Sequence, residues 1–212
     1  MIDSYQHIIW DWNGTLLNDV DLSVAIINNM LRERTMPPID MATYQDIFEF
    51  PVKAYYEKLG FDFAEESFEQ LAAQYCDSYD ARVQECQLHN GVITVLDSIA
   101  QRGKSQSILS SLVQTSLRRD IAHHKLSSYF EMICGLDDHY AAGKIAVGRQ
   151  LLQQLKVDPA QTVLIGDTLH DYEVAEALGV ACVLVSHGHY AKQRLAQIHQ
   201  YVVDSLEHLE YT

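Results

Sequence analysis

The 212-residue sequence predicts an α/β fold, a doubly wound parallel sheet interrupted by an all-helical insert. Three observations carry this. Short, continuously apolar runs recur along the chain, as strands buried on both faces of a parallel sheet do. Helical patterns separate the later runs, the alternation of a doubly wound core. One long early stretch carries helical stripes and no convincing strand.

The strand-like runs are 7–11, 107–110, 131–136, 162–167 and 181–186, with 201–204 as a weaker sixth. Helices are predicted over 92–101, 113–124, 145–155 and 172–178, and Gly103 and Gly179 fall where helix stops belong. The insert runs from about residue 18 to 88. Leu22, Ile26 and Met30, with Ile27 and Leu31, form one apolar stripe; Phe68, Leu71, Ala72 and Tyr75 form another. Pro37-Pro38 punctuates the insert, and Pro51 can start a further helix. Phe48-Glu49-Phe50-Pro51-Val52 reads either as a loop facing a site or as ordinary packing. The expected division is a core of 1–17 and 89–212 and a helical unit of 18–88.

The bulk numbers exclude several classes. The formal net charge is −14, from 15 basic and 29 acidic residues, so nucleic acid and anionic lipid are not expected partners. A phosphorylated substrate is repelled too, unless its site supplies a cation. Cys76, Cys86, Cys134 and Cys182 form no C-x-x-C pair and read as reduced thiols, which points to a cytoplasmic protein. No basic segment precedes a long apolar stretch, and no run approaches the ~18 apolar residues of a membrane span. Oligomeric state is not legible.

Four elements that can carry chemistry follow in chain order. They are Asp11-Trp12-Asn13-Gly14-Thr15, then Ser110 with Ser111, then Lys144, then Gly166-Asp167 with Asp171 four residues on. Each carboxylate or hydroxyl lies at or just after the end of a predicted strand, where open α/β sheets bind ligands. Lys144 opens a predicted helix and needs only to reach inward. Singly, each is an ordinary turn or a solvated helix residue; their joint order makes a site. A carboxylate can attack phosphorus and form an acyl phosphate. Hydroxyl and ammonium groups can hold the transferred oxygens. Asp11, Asp167 and Asp171 form an all-oxygen set suited to Mg²⁺.

This ordered set resembles the haloacid dehalogenase superfamily, and within it the phosphoglycolate phosphatase-like branch. The resemblance implies a Rossmann-like core with a helical C1 cap at 18–88. It implies that Asp11 is the nucleophile and that Ser110 and Lys144 are catalytic. Gly14, Thr15, Ser110, Ser111 and Lys144 would bind the substrate phosphate; Asp11, Asn13 (through its carbonyl), Asp167 and Asp171 would hold Mg²⁺. The implied activity is hydrolysis of a small phosphorylated metabolite.

The chain departs from the family at Asn13, where phosphatases carry an acid–base Asp. An amide exchanges no proton at neutral pH, and losing a general acid–base typically costs ~10²–10⁴ in rate. A good leaving group needs little protonation, whereas an alkyl phosphate needs much. His170, His187 and His189 are placed by the pattern near the same sheet edge, as surface histidines or as a replacement proton source. Three readings stand: a phosphatase slowed by Asn13, a phosphate-binding or regulatory protein with little turnover, and another reaction on the same fold. The last covers carbon–halogen or carbon–phosphorus bond cleavage, and in the family the carbon–phosphorus case uses a cap lysine as a Schiff base, for which Lys53 and Lys58 are the candidates.

Overall fold

A computed structural model describes residues 2–137 and 143–210 of the chain. Among these residues, six strands form one parallel sheet: β1 (His7–Trp10), β4 (Ser105–Val113), β5 (Met132–Leu136), β6 (Thr162–Gly166), β7 (Ala181–Val185) and β8 (Val202–Val203). Their spatial order is β5-β4-β1-β6-β7-β8. The chain enters at the centre, builds one half outward through β4 and β5, then returns beside β1 and builds the other half. This is the doubly wound α/β architecture expected from the alternation.

Burial on both faces explains the apolar runs. Ile8 and Trp10 point into a cluster with Ile108, Val163, Ile165 and Val183. Ile9 points the other way, into a cluster with Leu109, Leu164, Cys182 and Leu184. The period of two along each strand thus feeds two cores. The layers over the sheet are α5 (Val92–Gln101), α6 (Gln114–His123), α7 (Lys144–Leu155), α8 (Leu169–Leu178) and α9 (Lys192–Ile198). Helix α8 starts at 169 rather than 172, because Thr168 and Asp171 form a reciprocal capping box. It ends on Gly179 in the left-handed conformation, at φ +71°. Strand β4 begins two residues before the expected run. Its polar Gln106 is accommodated by a bond from Trp10 Nε1 at 3.0 Å and one to the Leu96 carbonyl at 3.1 Å. The four cysteines are free thiols. Among the described residues no helix is long and apolar enough to cross a membrane.

Between β1 and β4 lie α1 (Val20–Glu33), α2 (Met41–Ile47), α3 (Val52–Leu59) and α4 (Phe68–Asp80). Pro51 precedes α3, and Gly60 closes it in the left-handed region. The margins of this segment differ from expectation. Strands β2 (Leu17–Asn18) and β3 (Gln87–Leu88) pair antiparallel there. Two-residue strands are too short for any period to show in sequence. They hold both ends of the helical segment together beside the carboxyl end of β1. Helix α2 also docks on the core: Gln45 Nε2 donates to the Gly188 carbonyl at 2.8 Å, and Arg194 donates to the carbonyls of Gln45 and Phe48.

Leu164 is fully buried at the centre of the sheet. Leu164→Ala is expected to lower unfolding free energy by about 2–5 kcal/mol in urea titrations, through lost burial and a residual cavity. His7 is buried and bonded to Ser105 Oγ at 2.6 Å, and burial lowers its pKa from 6.5 to about 4. The folded chain therefore resists the proton that the unfolded chain takes up at 6.5. Stability from this group is complete above pH 6.5 and lost progressively as pH falls towards about 4. Urea midpoints measured across that window are expected to fall less steeply in His7→Gln than in the wild type.

Candidate active site

β1 and β6 are parallel neighbours, with Trp10 beside Ile165. Their carboxyl ends therefore open at one place. Asp11 follows β1 and Asp167 follows β6; the Asp11 N–H donates to the Ile165 carbonyl at 2.9 Å. Asp171 reaches the same point from the first turn of α8. Carboxylate oxygens of all three lie within 4.8 Å of one another, and all three residues are buried. Lys144, the first residue of α7, is itself buried and donates to Asp11 Oδ1 at 2.6 Å and to Asp171 Oδ1 at 2.7 Å. Thr15 Oγ1 lies 3.0 Å from Asp167 Oδ1 and 3.4 Å from Asp11 Oδ2.

The charges are unbalanced. Burial raises the Asp11 carboxyl to about 8, against the pull of Lys144 and with Asp171 and Asp167 adding to the rise. Burial likewise raises Asp167 to about 6, opposed by His189. Burial would raise Asp171 too, but Lys144 and Thr168 outweigh it and hold that carboxyl low. Burial would lower Lys144, and its two carboxylate partners outweigh this in turn, so the ammonium stays charged. The ammonium thus bonds two of the three carboxylates, while Asp167 is met by the His189 N–H and the Thr15 hydroxyl. An all-oxygen set with surplus negative charge fits a hard divalent cation.

The cluster opens into a cavity of about 180 Å³. Asp11, Asn13, Ser110, Ser111, Lys144, Asp167 and Asp171 line one side. Ser110 Oγ accepts from the Leu112 N–H at 3.1 Å, which leaves its own hydroxyl proton to donate. Among the described residues Ser111 Oγ has no hydrogen-bond partner. Gly14 and Thr15 lie behind this wall. Gly14 has φ +71°, and a Cβ there would meet Asp167 Oδ2 at 2.4 Å, so only glycine lets the loop approach the carboxylate this closely. A Cβ on Gly188 would meet the same oxygen at 2.1 Å.

Asn13 sits in a network that the sequence did not reveal. Its side-chain amide donates to Asp19 Oδ2 at 2.9 Å and lies 2.6 Å from the Tyr79 hydroxyl, which itself donates to Asp19 Oδ2 at 2.6 Å. Asp19 Oδ1 accepts from the Gly14 N–H at 2.8 Å and faces His189 Nε2 at 3.4 Å. Burial would raise Asp19, but His189 and these donors outweigh it and hold the carboxylate ionised. Burial would lower His189, yet Asp19 and Asp167 raise it to about 9. Asp19 stands at the N-cap position of α1 without capping it. A capping-type Asp between a motif and a helix was its one legible signal. Tyr44, 2.9 Å from His189 Nδ1, and Tyr79 were concealed within the apolar patterning of the insert.

The three singled-out histidines separate. The backbone N–H of His189 donates to Asp167 Oδ2 at 2.6 Å. His187 Nε2 donates to the Thr15 carbonyl at 3.1 Å and stacks on His89; burial lowers its pKa. His170 lines the cavity against Phe50, and burial lowers its pKa as well. Phe48 and Phe50 line the cavity too, which resolves the reading of that loop. Lys58 is paired with Glu49 at 2.6 Å, and Lys53 lies over the Phe63 ring. Neither lines the cavity.

Known proteins share this fold. The chain is 28% identical over 191 residues to the tyrosine-protein kinase PtkA of Mycobacterium tuberculosis, a match covering 88% of this chain and 64% of that protein. The chain thus spans less than two thirds of that relative's length. It is 26% identical over 196 residues to a phosphoglycolate phosphatase of Synechococcus elongatus, covering 90% of this chain and 88% of that one. A haloacid dehalogenase-like family hydrolase from Streptococcus pneumoniae superposes with a TM-score of 0.82 at 22% identity, covering 98% of each chain, which is a likeness of fold. The family model described as haloacid dehalogenase-like hydrolase matches residues 8–185, from β1 through β7 and every motif between, and the chain belongs to that family.

Proposed function

We propose that this protein is a Mg²⁺-dependent phosphatase acting on a small phosphorylated metabolite through an aspartyl phosphate on Asp11. The observation that carries the reading is the convergence of Asp11, Asp167 and Asp171 in the lining of one cavity, with the Lys144 ammonium bonded to Asp11 and Asp171. Relatives bearing phosphatase names, including the Synechococcus enzyme, support the reaction class.

An Asp11 carboxylate oxygen attacks phosphorus, and the bond to the leaving oxygen breaks. Lys144, Ser110 and Ser111 donate to the phosphoryl oxygens as charge redistributes over them. Water then attacks the same phosphorus, releasing inorganic phosphate and restoring the carboxylate. Mg²⁺ held by Asp11, Asp167 and the Asn13 carbonyl, with Asp171 bound directly or through water, would neutralise the phosphoryl charge that faces these carboxylates. Residues 18–88 act as the cap that selects the substrate, over a core of 1–17 and 89–212.

Asn13 donates to Asp19 and delivers no proton, so it slows both steps. It also favours a second reading, a phosphate-binding protein that makes the intermediate and turns over little. An aspartate at position 13 would face Asp19 at hydrogen-bond distance, and such a pair shares a proton with one pKa strongly raised. That is the form a general acid needs.

Asn13→Asp is expected to raise steady-state phosphate release from alkyl phosphates by up to ~10²–10⁴-fold. Asp11→Asn should abolish release. If Asn13→Asp gives no gain while wild type is inert, the binding-protein reading replaces the phosphatase. In thermal unfolding, Mg²⁺ at tenfold over its dissociation constant should stabilise the chain by about 1.4 kcal/mol. For a chain of this size that is a rise of a few degrees in Tm. The rise should vanish in Asp167→Ala; a shift that persists there would remove Asp167 from the metal site.

A further inference from the structure

Aromatic side chains make up much of the cavity lining, and among the described residues the cations there are held by carboxylates. The rings of Tyr44, Phe48, Phe50, Tyr75 and Tyr79 line the cavity. The three tyrosine hydroxyls are engaged by the protein, at His189, Ser23 and Asp19 respectively, so their rings rather than their polar ends are what remains for a ligand. Phe50 packs edge-on to Phe48 at 5.5 Å and against the His170 imidazole at 4.9 Å. Among the described residues Lys144 is the only lysine or arginine lining the cavity, and it is bonded to Asp11 and Asp171. Asp80 also lines the cavity, and the arginine beside it, Arg119, is bonded to Asp80 and Asp120.

We propose that the substrate of this site is an aryl phosphate monoester whose only anionic group is the phosphate. The inference rests on the phosphatase reading and deepens it. Two independent observations converge. Among the described residues, a second carboxylate or phosphate on the substrate would find the Lys144 ammonium and the His189 imidazole already held by carboxylates, with Asp19 and Asp80 in the same lining. A ring, by contrast, would find aromatic partners in offset or edge-to-face contact. The second observation is Asn13. With no acid at that position, the leaving oxygen departs with the bonding electron pair unaided. A phenol, with a pKa near ~10 like that of tyrosine, departs far more readily than an alkanol. When Asp11 attacks phosphorus, the P–O(aryl) bond breaks and the phenolate takes a proton from solvent. Water then cleaves the aspartyl phosphate and yields inorganic phosphate.

The test is a substrate panel on the full chain with Mg²⁺: phenyl phosphate, free phosphotyrosine, a phosphotyrosyl peptide, acetyl phosphate, glycerol 3-phosphate and 2-phosphoglycolate. The expected result is kcat/KM for phenyl phosphate at least ~10²-fold above those for glycerol 3-phosphate and 2-phosphoglycolate. Acetyl phosphate has a good leaving group and no ring. Phe50→Ala is therefore expected to raise the KM of phenyl phosphate relative to that of acetyl phosphate by up to about tenfold, the loss of one aromatic contact. A higher kcat/KM on the peptide than on phenyl phosphate would assign the aryl group to a protein side chain, and the reverse to a free metabolite; free phosphotyrosine at or above phenyl phosphate would overturn the single-anion claim, since its carboxylate is a second anion. Efficient turnover of 2-phosphoglycolate or glycerol 3-phosphate at or above the aryl esters would overturn the substrate class and leave the phosphatase reading standing. Failure on every compound, acetyl phosphate included, would overturn both.

Discussion

The buried ammonium of Lys144 between Asp11 and Asp171 is the contact on which the site depends. Three carboxylates from three separate elements are held within one ligand-sized space, and like charges that close repel strongly in a low-dielectric interior. One cation, itself buried, offsets part of that repulsion. The carboxyls of Asp11 and Asp167 are raised chiefly by burial, with the neighbouring carboxylates adding to the rise. Removing one partner of such a pair leaves an uncompensated buried charge, which is why it is costly to break even where it contributes little net stability. The cluster is a costly arrangement that the surrounding fold sustains.

The fold sustains it through backbone as much as through side chains. Asp167 Oδ2 is fixed by the N–H of His189, and two glycines, Gly14 and Gly188, let their loops close to within a distance that a Cβ would forbid. Asp171 serves twice: its Oδ1 meets Lys144, while its Oδ2 accepts from the Thr168 hydroxyl at 2.6 Å in the capping box of α8. The same carboxylate starts a helix and completes a charged cluster. Such double use ties the geometry of the site to the secondary structure and leaves little freedom for it to drift.

A second buried network, Asp19 with Asn13, Tyr79 and His189, joins the first-strand loop to helices α1 and α4 and to the loop after β7. It gives Asn13 a physical reason to be an amide. A carboxylate at position 13 would confront the ionised Asp19, whereas the amide donates to it. The amide at position 13 is therefore matched by its surroundings.

Composition and pattern alone were sufficient for the sheet, for the order of the motifs and for the position of the helical segment. Residues such as Ile8, Ile9 and Leu164 must be buried on both faces, and the carboxyl ends of adjacent parallel strands must share an edge. Asp11 and Asp167 could be paired on that ground without coordinates. The contacts of Asp19, Tyr44 and Tyr79 could not. Each lies in a stretch whose periodicity reports only that one helix face is apolar, and no local rule states which distant loop that face will meet. The two-residue ladder of β2 and β3 escaped for a related reason, since its pairing joins residues some seventy positions apart with no pattern of its own. Local sequence determines elements and their edges because those follow from short-range sterics and burial. The wall that a ligand meets is assembled from long-range packing, and only the tertiary structure decides it.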